Sequence, residues 1–161
     1  MIRTLIAATV VALAVHPAAA DMRDDCVQSD DVPRSIDGCS KVIASGNWTG
    51  DDLAMAHYNR ANGYRRTGRP QEALADYDKA LSINPGMLNA HINRGLVRCS
   101  LGNQAGFLID MRVAMKASGE EVARFQTLMQ RDGFYTGAVD GRYGPATEQA
   151  LQRFAETLCS G

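Results

Sequence analysis

The chain has 161 residues, of which 45% are apolar, and its 17 basic and 18 acidic side chains nearly cancel. No basic stripe stands out, which excludes nucleic acid and an anionic membrane surface as the expected partner. The length suits one domain or two very small ones.

Residues 1–20 read as a signal peptide. Arg3 supplies a short positive region, Leu5 to Val15 an apolar and small-residue run, and Ala18-Ala19-Ala20 the A-x-A pattern before an expected cleavage between Ala20 and Asp21. The run falls short of the ~20 apolar residues needed to span a bilayer. Cys26 follows Met22-Arg23-Asp24-Asp25, a charged stretch unlike the small-apolar box of a lipoprotein signal. The expectation is therefore a secreted, periplasmic protein with no membrane span after cleavage. Its mature part has 141 residues, 16 basic against 18 acidic.

All four cysteines, Cys26, Cys39, Cys99 and Cys159, lie beyond the signal. An even number in an exported chain points to disulfides, because the periplasm is oxidising. No CxxC or HxxxH spacing is present, and the histidines of the mature part are His57 and His91. No metal and no other cofactor is expected.

From residue 54 the chain repeats itself. Ala56-His57-x-Asn59-Arg60 recurs 34 residues later as Ala90-His91-x-Asn93-Arg94, and the same offset links Gly68 to Gly102, Asp76 to Asp110 and Ala80 to Ala114. The period resembles that of the tetratricopeptide repeat (TPR), a helix-turn-helix unit. The first copy, Ala54 to Met87, carries Ala61 and Tyr64 where the family has a small residue and a tyrosine on helix A. It carries Ala73, Tyr77 and Ala80 on helix B, and Pro85 at the close. Small residues let the two helices approach, and aromatics fill the space between them. Gly68-Arg69-Pro70 forms the turn, glycine leaving one helix and proline starting the next. The second copy, Leu88 to Glu121, keeps Gly95, Gly102 and Ala114. Phe107 replaces a small residue there, and Gly119 stands in place of the closing proline.

Upstream, Pro33 to Ser45 aligns with a helix B and reads as a lone helix capping the solenoid. Cys26 and Cys39 flank this helix and lie close in sequence, so of the three possible pairings these two are expected together, leaving Cys99 with Cys159. Cys99 is expected to face the groove, which would bring the last helix back toward the open side of the solenoid.

The pattern changes at Gly119. A short amphipathic helix around Val122 to Met129 precedes a turn-rich stretch from Asp132 to Thr147, and a second helix, Glu148 to Leu158, follows. Glycines with aromatics between them indicate a specified turn structure. The stretch resembles the peptidoglycan-binding type 1 domain. Val122, Gln126, Gly133, Phe134, Tyr135, Gly137, Val139, Asp140, Gly141, Tyr143, Gly144, Thr147, Ala150 and Phe154 match its pattern at fixed spacing, 14 positions in all. The chain departs from that pattern at Ala155, usually glutamine, and with the family's further helix not expected before Gly161 the module is expected to be a truncated one. On this resemblance Asp140 binds turn amides and Thr147 caps the last helix.

The expected organisation is all-α: signal peptide 1–20, a stapled capping region 21–53, two TPR units over 54–118 and a small helical module over 119–161. The resemblances imply peptidoglycan and a protein as partners. Tyr135 and Tyr143 are candidates to stack on sugar faces, Arg142 to meet a stem-peptide carboxylate, and Asp140 to join them. For Phe134 and Tyr143 a place in the module's small core is the favoured alternative, and Tyr135 is open to both roles. The TPR resemblance implies a concave groove with Tyr58, Asn62, Arg65, Asn89 and Asn93 as candidate contacts. Asn62 and Asn93 match asparagines that some TPR proteins use to hold a peptide backbone or terminal carboxylate. Tyr58 stands where a full carboxylate clamp has lysine, so that clamp is not supported, and the asparagines equally suit inter-helix hydrogen bonding. His57 and His91 read as satisfied core histidines. No nucleophile, base or carboxylate pair suggests an enzyme, so a non-catalytic binding protein is expected. The alternative is a pure interaction adaptor whose C-terminal module is only a cap.

Overall fold

A computed structural model describes residues 17–28 and 30–160. Among these the chain is all-α, with helices α1 (Pro17–Gln28), α2 (Val32–Ser45), α3 (Gly50–Arg66), α4 (Pro70–Ile83), α5 (Leu88–Ser100), α6 (Gln104–Ala117), α7 (Gly119–Arg131) and α8 (Pro145–Leu158). The expected signal features Arg3 and Leu5 to Val15 lie outside the described residues. Helix α1 runs through the bond between Ala20 and Asp21. None of the described helices is long and apolar enough to cross a membrane.

Helices pack as consecutive hairpins, α1 on α2, α3 on α4 and α5 on α6, with α2 against α3 and α4 against α5. The capping helix is therefore not alone, as the sequence suggested: α1 completes a third hairpin. Cys26 and Met22, one turn apart on α1, join Cys39, Val42 and Ala56 in a small core. Gly38 makes the approach possible, since a Cβ there would lie 2.7 Å from Asp25 Cβ and 2.9 Å from the Cys26 nitrogen. Cys26–Cys39 closes this hairpin, and Cys99–Cys159 joins α5 to the end of α8, the pairing expected from the sequence.

The 34-residue repeat encodes an inter-helix lock. His57 Nδ1 lies 2.8 Å from Asp76 Oδ1, and Arg60 grips the same carboxylate with Nε at 2.6 Å and Nη2 at 2.8 Å. In the next hairpin His91 Nδ1 lies 3.2 Å from Asp110 Oδ1, while Arg94 Nη2 at 2.6 Å, Arg94 Nε at 3.1 Å and Arg98 Nη1 at 2.8 Å hold that carboxylate. Both aspartates are buried. A buried charge is tolerated because it is paired and hydrogen-bonded. Burial pushes the Asp76 carboxyl up, but the Arg60 and His57 contacts outweigh it and hold the group below its usual range.

Local chemistry sets the helix ends. Asp31 accepts from the Arg34 nitrogen at the start of α2, Asn103 from the Gly106 nitrogen at α6, and Ser118 from the Glu121 nitrogen at α7. Pro70 and Pro145 open α4 and α8. The last helix therefore begins earlier than Glu148, and Thr147 does not cap it: the residue is inside the first turn, and its hydroxyl donates to the Arg142 carbonyl at 3.2 Å.

Helices α7 and α8 both lie on α6. Phe107, Met111 and Met115 of α6 share one hydrophobic core with Val122, Phe125, Met129, Tyr135, Leu151 and Ala155. Phe107, large where the repeat usually has a small residue, reaches Phe154 with ring centroids 6.4 Å apart. The C-terminal module is thus built onto the second hairpin.

Candidate functional site

Two surfaces bring the sequence candidates together. The first is the layer formed by α3 and α5. Tyr58, Asn62 and Arg65 share one face of α3, and Asn89, Ile92, Asn93 and Leu96 share one face of α5 by their spacing. Asn62 Oδ1 accepts from Tyr77 Oη at 2.6 Å and from Asn93 Nδ2 at 2.9 Å; Asn93 Nδ2 also reaches Tyr58 Oη at 3.3 Å. The two asparagines therefore tie adjacent hairpins together, the inter-helix role left open by the sequence. Burial lifts the Tyr77 hydroxyl to about 12, which keeps it a donor in this network. Arg65 and Asn89 are exposed. Cys99, one turn beyond Leu96 on the same face of α5, is buried in its bridge to Cys159, which brings the end of α8 against that face. Beyond Asn93 the layer ends in an apolar cavity of about 310 Å3, walled by Ile92, Leu96, Phe107 and Met111 on one side and Phe125, Leu128 and Phe154 on the other. The module closes the end of the groove without filling it.

The second surface is the turn structure between α7 and α8, organised by the buried Gln126. Its Oε1 accepts from the Asp140 and Gly141 nitrogens at 3.1 and 3.0 Å. Its Nε2 lies within 3.0–3.2 Å of Asp140 Oδ1, Tyr135 Oη, the Arg142 carbonyl and Thr147 Oγ1. One amide thus gathers Tyr135, the stretch 140–142 and Thr147 of α8. Asp140 Oδ1 also accepts from the Arg142 nitrogen at 3.0 Å, and the Gln126 and Arg142 contacts hold the Asp140 carboxyl below its usual range. Gly141 takes φ +67°, and a Cβ on it would lie 2.7 Å from the Gly119 carbonyl oxygen.

Burial sorts the four candidates. Tyr135 is 7% exposed, its hydroxyl donating to the Ala138 carbonyl at 2.8 Å. Its ring offers no stacking face, because the turn wraps it so closely that a Cβ on Gly137 would sit 2.6 Å from its hydroxyl. Tyr143 is half-buried, its hydroxyl bonded to Glu148 Oε2 and its ring 5.3 Å from Lys116 Nζ. It is part of the seam with α6. Asp140 is exposed, with one carboxylate oxygen committed to the turn. Arg142 is exposed while its backbone serves the Gln126 network. Val139, 41% exposed beside Asp140, is one of the matched pattern positions and an apolar surface residue not among the candidate contacts; within a turn no periodicity marks which side chains face out.

At the seam Arg112 of α6 grips Glu148 of α8, with Nη2 2.5 Å from Oε1 and Nε 3.2 Å from both oxygens. Arg112 chiefly, then Tyr143 and Gln152, hold the Glu148 carboxyl at about 2 against the opposing effect of burial. Burial and the adjacent Glu148 push the Tyr143 hydroxyl up to about 12.

Comparison with known proteins finds one match over α3 and α4 and another over the C-terminal module. Residues 54–87 match the tetratricopeptide repeat family and residues 118–156 the family described as "Putative peptidoglycan binding domain". The chain is 30% identical over 67 residues, 42% of its length, to a tetratricopeptide repeat and J domain-containing co-chaperone of Cryptococcus neoformans. It is 50% identical over 40 residues, 25% of its length, to a spore cortex-lytic enzyme of Bacillus cereus. These matches span 13% and 15% of the two relatives, so the likeness is to a segment of each. The chain carries a tetratricopeptide repeat followed by a domain of the peptidoglycan-binding type.

Proposed function

We propose that the protein is a non-catalytic periplasmic envelope protein that binds peptidoglycan through its C-terminal module and a protein partner through the TPR groove. The observation that carries the wall-binding half is the Gln126-organised turn: it matches the peptidoglycan-binding family and leaves Arg142, Asp140 and Val139 on its surface. Arg142 suits a stem-peptide carboxylate. The exported location rests on the residues 1–20 pattern, and the two disulfides favour an oxidising compartment. Co-sedimentation of the protein with isolated sacculi at low salt tests the wall-binding half. Protein that stays in the supernatant sinks it. A zymogram that clears embedded peptidoglycan would overturn the non-catalytic reading.

A second reading has its own observation. The module shares a core with α6 and is bridged to α5, so it also serves as a cap on a short solenoid. Full stability support without sacculus binding would favour that role alone.

A further inference from the structure

We propose that the cavity at the end of the groove takes one aromatic or aliphatic side chain of an extended peptide, with a carboxylate beside it meeting Arg124. The proposal rests on the groove binding a protein partner, and it names the chemistry of that partner.

The cavity is built jointly by the repeat and the C-terminal module. Ile92 and Leu96 of α5 and Met111 of α6 face Phe125 and Leu128 of α7 and Phe154 of α8, enclosing about 310 Å3. Its walls are carbon almost throughout, and Leu96 is 41% exposed at the mouth. An apolar group placed there leaves water and gains contacts on several sides.

The polar atoms around the mouth select the occupant. Arg124 lines the cavity on the α7 side. Its Nη2 pairs with Glu121 Oε2 at 3.1 Å and its guanidinium stands 5.5 Å from the Phe125 ring, but the side chain is 59% exposed and that one ion pair does not use its other N–H groups. Charge complementarity therefore favours an acidic neighbour on the ligand. On the other side, one helical turn from Leu96, stands Asn93. The hydrogen bonds among the described residues use Asn62 Oδ1 and Asn93 Nδ2. Asn62 Nδ2 and Asn93 Oδ1 are left as one donor and one acceptor on neighbouring helices, which matches the carbonyl and N–H of a peptide backbone. A simple acyl chain would use the cavity and Arg124 but neither amide.

The test uses the isotope-labelled full chain and four probes, read by chemical-shift titration. Three are end-blocked heptapeptides of glycine and serine carrying a central phenylalanine between two glutamates, an alanine between two glutamates, or a phenylalanine between two lysines. The fourth is decanoate. The glutamate-flanked phenylalanine should bind at least about tenfold more tightly than the other two peptides. It should shift Leu96, Phe125 and the side-chain amides of Asn62 and Asn93. Leu96→Asp should weaken it about tenfold without changing the fold, and Arg124→Glu should reverse the preference toward the lysine-flanked peptide. Shifts confined to Tyr58, Arg65 and Asn89, or indifference to Leu96→Asp, would overturn the cavity proposal while leaving groove binding intact. Silence with every peptide would remove both. Tighter binding of decanoate than of any peptide would overturn the proposal in favour of an amphiphile site.

Discussion

Arg112 on α6 and Glu148 on α8 hold the C-terminal module against the second hairpin through a forked ion pair, 36 residues apart in sequence. The pair is partly shielded, with side-chain exposures of 34% and 26%, and Tyr143 and Gln152 complete the coordination of the carboxylate. It has a consequence for stability against pH. The folded Glu148 carboxyl, at about 2, lies below its ordinary value of 4.5. Its stabilisation is therefore present above 4.5 and lost as pH falls from there toward 2. After allowance for solvent screening, Glu148→Gln should cost about 1–2 kcal/mol at pH 7. Urea titrations of both proteins at pH 7 and near pH 2 check this: the gap should shrink at the acid end. An equal gap at both pH values would remove the ion pair as its cause.

The buried aspartates should be far less tolerant. Asp110→Ala leaves Arg94 and Arg98 without the carboxylate that joins them to α6. Removing one partner of such a buried cluster typically costs about 3–5 kcal/mol. Asp76→Ala should fall in the same range through Arg60 and His57. Chemical denaturation measures both, and a loss below about 1 kcal/mol would mean that water replaces the lock.

These locks explain what was legible in the sequence. The recurrence of His, Arg and Asp at a 34-residue offset encodes a physical device, so repetition and structure coincide. Helix α1 was not legible as a partner of α2, because Pro17–Gln28 has no apolar period; a disulfide, one methionine and the close approach at Gly38 hold it. The turn candidates split for a related reason. Tyr135 and Arg142 look equally available in a glycine-rich run, and only the closure around Gln126 turns one inward and leaves the other out. The joint cavity at the groove's end brings together residues as distant in sequence as Ile92 and Phe154, which no local spacing announces.

The bridge between Cys99 and Cys159 spans 60 residues. In the chain-entropy model a loop of that size contributes about 4 kcal/mol. Replacing both cysteines by serine should lower stability by an amount of that order, and by more than the double replacement of Cys26 and Cys39, whose separation is 13. Calorimetry of the two double variants checks the order. Mass mapping of non-reduced peptides checks the pairing itself, and free thiols at Cys99 and Cys159 would undo this part of the architecture.

Wall binding and turn stability should be separable by two substitutions in the same turn. Gln126→Met keeps an unbranched side chain of similar size but removes every polar contact of the amide. The Asp140 and Gly141 nitrogens then lose their acceptor, and the two Nε2 hydrogens shared among Tyr135, Asp140, Thr147 and the Arg142 carbonyl are gone. Each buried group left unsatisfied costs about 1–3 kcal/mol, so the variant should be destabilised by at least 3 kcal/mol or so and should also lose sacculus binding. Arg142→Glu is different. The side chain is exposed, and the backbone atoms that serve the network are untouched. Its stability should change by about half a kcal/mol or less. If Arg142 meets a stem-peptide carboxylate, reversing its charge should cut co-sedimentation with sacculi at least tenfold or so, and added salt should lessen the difference. These point variants are better probes than deletion of residues 119–161, which would uncover Phe107, Met111 and Met115. Unchanged sedimentation of Arg142→Glu would move the wall contact away from this turn. Loss of binding in Gln126→Met without loss of stability would show that the amide itself touches the ligand.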